Sequence, residues 1–221
     1  KNLNRTLHTA YAFAIVTGAI VGLIGFWITE KVLIAMKTPS ELMADSVIYL
    51  HIYFCGMIFN IVYNMGASIL RAVGDSRRPL YVLIMTCGLY IFFDIMLVVF
   101  LTMGVMGVAI ATVSCQGISA CMVTWILIKG NSLFRLKIRE IRFYMASLQS
   151  VLRIGIPAAL EATMYTIANL IIQIFVNELG TDTVAAWGTL GKIDAVFWMV
   201  CNAFAISITT FVGQNLSLIH I

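Results

Sequence analysis

The chain has 221 residues, of which 61% are hydrophobic and 11% are charged. Soluble globular domains carry about 25% charged residues, so this composition excludes an ordinary soluble protein and indicates a membrane protein. The formal net charge of +4 is spread over the polar breaks between apolar runs. That distribution favours a role in membrane orientation and gives no reason to expect a nucleic-acid partner.

Six apolar runs recur along the chain, and each is long enough for a transmembrane helix, which needs about 20 mostly apolar residues. In chain order they cover residues 9–36, 46–70, 80–101, 105–128, 154–179 and 184–212. The predicted fold is therefore an all-α polytopic membrane protein with six transmembrane helices, and the lipid bilayer is its first expected partner.

Basic residues concentrate in alternate loops. Residues 71–79 contain three arginines, and residues 129–153 contain six lysines and arginines. Because Lys and Arg near span ends stay in the cytoplasm, both loops are predicted to be cytoplasmic in a multi-pass protein of the plasma (inner) membrane. The first span then runs outward.

The longest polar segment, residues 129–153, keeps apolar residues at a rough helical spacing among basic ones. This pattern predicts an amphipathic cytoplasmic linker helix. The linker separates residues 1–128 from residues 154–215, which we predict to belong to two different helix bundles.

The last six residues, 216–221, read Leu-Ser-Leu-Ile-His-Ile. Their back-translation includes the sequence of a transposon-end adapter used in sequencing libraries. We interpret them as an adapter artefact, and the lack of an initiator methionine before Lys1 predicts that the start of the chain is missing.

The sequence contains no pattern typical of an enzyme site. We find no metal-ligand spacing of His, Cys and Asp, no phosphate-binding glycine loop and no nucleophile elbow. We therefore predict a protein that is not an enzyme, with no cofactor and no structural metal.

Asp94 is the strongest candidate for a functional residue. It lies 15 residues past Pro79 in the third span, about 22 Å along a helix from that end. A charged side chain at the bilayer centre costs about 2.5–3.5 kcal/mol on insertion scales, so such residues usually have a function. The alternative is a buried polar group bonded to a neighbouring helix.

Asn64 and Thr112 fall at a similar depth in the second and fourth spans. Asn64 is 11 residues before Asp75 in the inner loop, or about 16 Å along its helix. Thr112 follows the outer turn that joins the third and fourth spans. A carboxylate, an amide oxygen and a hydroxyl at one depth are suited to bind Na⁺, or to surround a carboxyl group that takes up a proton.

A second, weaker set of intramembrane charges comprises Glu161, Lys192 and Asp194. The side chains of Glu161 and Lys192 are expected at depths where they can meet across a cavity. Aromatic side chains suited to hold a lipophilic cation accompany them, although ordinary helix packing is the alternative for each: Tyr49, Tyr90, Tyr165, Trp187, Phe197 and Trp198.

Four segments carry a resemblance to a known family. The sequence SILRAVGDSRRP at 68–79 resembles the loop between the fourth and fifth helices of the multidrug and toxin extrusion (MATE) family. The resemblance continues through GVMGVAIAT at 104–112, GIPAALE at 155–161 and VGQN at 212–215. These segments occur in the family's order and span nearly the whole chain.

This resemblance implies a fragment covering about helices 3 to 8 of a transporter with two six-helix (6+6) bundles. Residues 1–128 match the last four helices of the amino-terminal bundle, and residues 154–215 match the first two of the other. The implied function is a Na⁺- or H⁺-coupled antiporter that exports organic, often cationic, drugs and toxins by alternating access. The missing helices of the same chain would be its partners.

The resemblance also implies a cation-coupling site. The family's site residues match Asn64, Asp94 and Thr112, with transient Na⁺ possible at Asp94, while Tyr90 stands where the family often has asparagine. From the intramembrane charges and the aromatic residues named above, we predict a substrate cavity that includes Tyr49, Glu161, Lys192 and Tyr165.

Two alternatives remain open on the sequence. A lipid-linked precursor flippase of a related fold would show several basic residues in its cavity to bind phosphates, whereas Lys192 is the only clear candidate in this sequence. A membrane scaffold or channel subunit is the more distant alternative, in which Asp94 is structural.

Overall fold

The computed structural model describes residues 2–35, 40–130, 135–178 and 181–219, which contain helices and connecting turns and no strand. Their α-helices, in chain order, are α1 Asn2–Ala35, α2 Ser40–Cys55, α3 Met57–Ala72, α4 Arg77–Asp94, α5 Gly104–Ile128, α6 Met145–Glu178 and α7 Thr181–Ile219. A π-helical segment, Ile95–Phe100, continues α4 without a break.

The described helices account for the six predicted membrane spans. Five are long and apolar enough to cross a membrane alone, and α2 and α3 pass the same test together as a pair bent by 46°. Large apolar side chains face outward along them, as expected of helices in lipid; Trp27 is 77% exposed and Phe100 is 78% exposed. The prediction of an all-α polytopic membrane protein is confirmed.

The span predicted over residues 46–70 is present as α2 and α3, which meet in a bend at Gly56. An ideal Cβ on this glycine would lie 2.5 Å from Val113 Cγ2 of α5, so no larger side chain fits where the helices approach. The Gly56 N–H donates to Ile52 O and Tyr53 O, each at 3.1 Å. Sharp helix bends commonly occur at such glycines.

The chain forms two compact units, Lys1–Ser147 and Leu148–Ile221. In the first unit α5 packs against α2, α3 and α4, while α1 packs against α2 and α3. The contact residues of α5 are small, as is typical of helices that approach closely in a membrane. Its buried positions include Gly107, Ala109, Ala111, Cys115, Ser119 and Ala120.

A hydrophobic cluster closes one end of this first unit. Its buried members come from α1, α3, α4, α5 and the segment after α5: Leu7, Tyr11, Leu70, Val82, Val123, Leu127 and Leu136. The Tyr11 hydroxyl also hydrogen-bonds the Thr124 hydroxyl across this end of the unit. The cluster fixes α1 against the helices that carry the polar site described below.

The linker helix predicted over residues 129–153 is only partly formed, because among the described residues the chain is α-helical only from Met145 onward. Residues 135–144 are non-helical except for one 3₁₀ turn at Ile138–Glu140, and α6 begins at Met145. Residues 131–134 lie outside the described residues.

Partners outside the linker explain its conformation. The Leu136 N–H donates to Leu127 O at 3.0 Å, and the Lys137 N–H donates to His8 Nε2 at 3.1 Å. The Tyr144 N–H donates to Thr9 Oγ1 at 3.1 Å. These backbone groups bond to α1 and α5 and not to a helix of their own.

The second unit contains most of α6, with Pro157 inside it, and α7. Tyr165 of α6 meets Trp198 of α7 edge-on, with ring centroids 6.0 Å apart. The boundary between the units falls inside residues 129–153, although the assignment of residues 1–128 and 154–215 to two bundles stays a prediction. Residues 216–219 continue α7, while His220 and Ile221 lie outside the described residues.

A glycine and a capping carboxylate stabilise the turn before α4. Gly74 adopts a φ of 86°. The Asp75 carboxylate accepts the Arg78 N–H at 3.1 Å and pairs with Arg78 Nε at 3.1 Å, so Asp75 caps the start of the helix. The Ser76 side chain makes no capping hydrogen bond.

We expect Gly74→Ala to destabilise the protein by about 1 kcal/mol, because a left-handed conformation is strained for any residue with a Cβ. Gly88→Ala is the matched control. A Cβ there meets nothing within 4 Å, and alanine favours a helix by roughly 1 kcal/mol over glycine. Denaturant unfolding of the purified protein measures the free energy of unfolding of both variants. Equal effects of the two substitutions would contradict the left-handed conformation of Gly74.

We expect Gly56→Ala to cost roughly 1–3 kcal/mol, since its new methyl group overlaps Val113. Combining it with Val113→Ala should recover about 1 kcal/mol relative to the sum of the single effects, because the two sites are in contact. A double-variant cycle in the same unfolding assay measures this coupling. Strict additivity would mean that the contact does not set the bend.

Candidate cation site

Asp94 lies at the last position of α4, immediately before the π-helical segment Ile95–Phe100. Its side chain is half-buried, and Oδ1 is buried with no hydrogen-bond partner. A buried polar atom without a partner is unusual, and π-helical turns often occur at functional sites. The carboxyl group is therefore placed to bind something besides the described protein atoms.

A polar cavity of about 410 Å³ lies among α3, α4 and α5. Its lining contains amide, hydroxyl, phenol and thiol groups with one leucine: Asn60, Tyr63, Asn64, Leu83, Thr86, Cys87, Tyr90, Thr112, Cys115, Gln116 and Ser119. The cavity brings Asn64, Tyr90 and Thr112 together. Asp94 is outside this lining, but it follows Tyr90 by one helical turn on α4, about 6 Å along the axis.

Hydrogen bonds orient the neutral side chains of the predicted site. The Thr112 hydroxyl donates to Val108 O at 2.8 Å, and Asn64 Nδ2 donates to Asn60 O at 2.9 Å and to Asn60 Oδ1 at 3.1 Å. Thr112 and Asn64 thus commit their hydrogens to neighbours on their own helices. Their oxygens keep lone pairs for a ligand.

Sequence reasoning missed several polar residues of this cavity, and four of them share a helix face with a predicted one. Asn60 is one turn before Asn64, Thr86 is one turn before Tyr90, and Gln116 is one turn after Thr112. Ser119 is two turns after Thr112. Residues four apart on a helix share a face, so polar residues repeating at that spacing were the available signal.

The residues predicted for a substrate cavity are not gathered in the described pockets. Tyr49 stacks against Tyr53 with centroids 6.2 Å apart. In the described part of the chain, the ion pairs join Asp75 to Arg78 and Lys137 to Glu140, so the predicted meeting of Glu161 and Lys192 is not seen there.

The second unit contains a cavity of its own, of about 490 Å³. Its walls include Asn169 of α6 and the α7 residues Trp187, Asp194 and Phe197. Asp194 and the two aromatic residues were predicted as part of the second set, whereas Glu161, Lys192 and Tyr165 are not in the described lining. A cavity lined by a carboxylate and aromatic rings favours a positively charged ligand.

A third cavity, of about 540 Å³, lies beside α1 and the bend between α2 and α3, and its lining is almost entirely apolar. Within the described ranges, no group of three or more His, Cys, Asp and Glu side chains is placed to hold a metal ion. The polar cavity of the first unit contains three of the four predicted cation ligands, Asn64, Tyr90 and Thr112, while Asp94 lies outside its described lining.

The apolar helices are long enough to span a membrane, and a carboxyl group and a polar cavity lie among them. These features define a polytopic membrane protein with an intramembrane polar site. The chain belongs to the MatE family, whose model matches residues 1–96 and 157–217. Members of this family are transporters and not enzymes.

Two curated relatives come from Bacillus subtilis (strain 168). The chain is 28% identical over 206 residues to "Probable multidrug resistance protein YpnP", covering 92% of this chain and 46% of the relative. It is 25% identical over 224 residues to "Probable multidrug resistance protein YoeA", covering 98% of this chain and 48% of the relative. The chain thus spans about half the length of these relatives.

A crystal structure of a mutant of the Vibrio cholerae MATE transporter VcmN shares the fold. The TM-score is 0.80 at 18% sequence identity, and the match covers 96% of this chain and 53% of that one. This similarity supports the fold of the chain.

Proposed function

We propose that the full-length protein is a cation-coupled antiporter that exports organic, often cationic, compounds by alternating access. Entry of Na⁺ or H⁺ through binding at Asp94 would drive the export. The observation that carries the proposal is the buried Oδ1 of Asp94, which has no hydrogen-bond partner and lies one helical turn from the polar cavity. Family membership and the names of the two relatives support the same reading.

The coupling follows from the chemistry of an intramembrane carboxyl group. An unpaired carboxylate in lipid is unstable, and binding a proton or a sodium ion neutralises it. A cation that moves inward across the membrane gains about 2.3 kcal/mol per 100 mV of membrane potential. If cargo binds better once the cation has left, each cation cycle can drive one export step.

The proposed orientation places residues 71–79 and 129–153 on the cytoplasmic side of the plasma membrane. The high content of Lys and Arg in these two loops supports this orientation. Arg77 and Arg78 at the start of α4 are exposed, as are Arg135 and Arg139 in the described part of the linker. The comparisons do not support the flippase alternative.

The test is a transport assay on the full-length protein in a drug-sensitive host. We expect Asp94→Asn to lower dye efflux to the background of cells that lack the protein, because an amide takes up neither a proton nor the charge of Na⁺. Asp45→Asn, which makes the same change at an exposed residue of α2, should leave efflux unchanged.

The same assay identifies the coupling ion when sodium and external pH are varied independently. Efflux that requires sodium indicates Na⁺, and efflux that follows the pH gradient indicates H⁺. If the Asp94→Asn protein exports dye as well as the parent does, the coupling role of Asp94 is wrong.

A further inference from the structure

The linker segment of residues 135–144 is held against α1 by buried partners. The backbone N–H groups of Lys137 and Tyr144 donate to the side chains of His8 and Thr9, which are 2% and 0% exposed. These two anchors fix the backbone of the segment near both of its ends. Most of the side chains between the anchors are exposed, so the segment presents them in a fixed arrangement at the end of the first unit.

The end of α5 indicates the depth of this segment relative to a bilayer. Trp125, near the end of α5, is 58% exposed, and Lys129 Nζ lies 4.1 Å from the centroid of its ring. Tryptophan and lysine near the end of a span are typical of the headgroup region of a membrane. Arg135 Nε donates to the carbonyl oxygen of Ile128, the last residue of α5, at 3.0 Å. The linker segment therefore begins at headgroup depth.

Large apolar side chains are exposed on this segment and directly after it. Ile138 is 66% exposed, Phe143 is 46% exposed and Met145 is 76% exposed. They are interspersed with basic residues, because residues 135–144 contain four basic residues and one acidic residue. At a membrane surface, apolar side chains of this kind reach the acyl boundary, while basic side chains attract anionic lipids. The segment has the composition of a lipid-binding surface.

Two arginines converge on one tyrosine ring in this surface. The guanidinium carbon of Arg5 lies 5.5 Å from the ring centroid of Tyr144, and that of Arg142 lies 5.0 Å from it. Arg142 Nε also donates to the Tyr144 hydroxyl oxygen at 2.9 Å. Both arginines are exposed, and neither takes part in an ion pair with a described residue. Their remaining N–H groups can therefore bind an anion.

The carboxylate on this segment has another partner. Glu140 accepts a hydrogen bond from Lys137 Nζ at 2.8 Å, and this hydrogen bond holds the pKa of Glu140 below its usual value. The charge of Arg142 lowers the pKa of Glu140 to a smaller extent. Because Glu140 is bonded to Lys137, the positive charges of Arg5 and Arg142 favour an anionic ligand.

We propose that Arg5, Tyr144 and Arg142 bind the headgroup phosphate of an anionic phospholipid, and that the exposed apolar side chains of the segment contact its acyl chains. Guanidinium groups suit this ligand because they bind pairs of phosphate oxygens. The headgroup depth and the apolar neighbours favour a lipid over a free phosphate ion. The inference goes beyond the proposed function and uses the proposed orientation only to assign the lipid to the cytoplasmic leaflet.

The headgroup preference is tested on the purified full-length protein in detergent. Phosphatidylglycerol and phosphatidylcholine with identical acyl chains are matched probes, and binding raises the thermal unfolding temperature in a concentration-dependent way. We expect phosphatidylglycerol to bind at least about tenfold more tightly, since each nearby basic residue contributes roughly fivefold. Equal binding of the two lipids would overturn the proposal, and this comparison needs no variant to fold.

Inorganic phosphate separates the lipid from a free anion. At the same concentration as phosphatidylglycerol, it should leave the unfolding temperature unchanged, because it has no acyl chain to contact the apolar side chains. An equal rise with inorganic phosphate would overturn the assignment to a lipid.

Substitutions locate the binding. Arg5→Gln and Arg142→Gln should each weaken phosphatidylglycerol binding roughly fivefold and leave phosphatidylcholine binding unchanged. Arg77→Gln is the matched control, because it removes the same charge from an exposed residue at the start of α4. An equal loss in the Arg77 variant would indicate diffuse attraction to a basic surface and would overturn the site at Tyr144.

The failure of this inference is separable from failure of the proposed function. If Asp94→Asn abolishes efflux but the two lipids bind equally, the ion site stands and the lipid site falls. If phosphatidylglycerol is preferred and the preference depends on Arg142, while Asp94→Asn exports normally, the lipid site stands and the ion site falls.

Discussion

The close packing of α5 against α2, α3 and α4 is the constraint on which the rest of the first unit depends. Helices in lipid gain little hydrophobic free energy from association, so they associate through close van der Waals packing between small residues. The glycines, alanines and other small residues buried along α5 allow that approach. The same packing requires a glycine at position 56, opposite Val113, and so bends the α2–α3 span.

A second consequence of the lipid environment is the chemistry of the polar cavity. With no water in the bilayer core, a hydroxyl group on a helix finds its nearest acceptor in the carbonyl of its own preceding turn. Thr86, Thr112 and Ser119 all take this partner. Packing brings their oxygens to one cavity beside Asp94, and hydrogen bonding fixes those oxygens as acceptors. The helices themselves therefore leave these three hydroxyl oxygens as hydrogen-bond acceptors, without a contribution from a loop or a bound group.

The sequence predicted the spans well, because hydropathy is a local property. Depth counting alone placed Asn64 and Thr112 close enough to share one cavity. Depth counting missed uncharged residues one or two helical turns away, because ionisable residues stand out most clearly in an apolar segment. The missed residues are Asn60, Thr86, Gln116 and Ser119. The break at Gly56 and the non-helical linker depend on contacts with distant residues, such as that between Lys137 and His8, and no local pattern reveals them.

The proposed coupling requires that the half-buried carboxyl group of Asp94 changes state when a cation binds. Infrared difference spectroscopy on the purified full-length protein measures this directly, by recording carboxyl bands as sodium is added or pH is raised. We predict a carboxyl signal that responds to sodium or to pH in the parent and is missing in Asp94→Asn, with the remaining carboxyl signals unchanged. An identical difference spectrum in the two proteins would contradict the proposed role of Asp94 in cation binding.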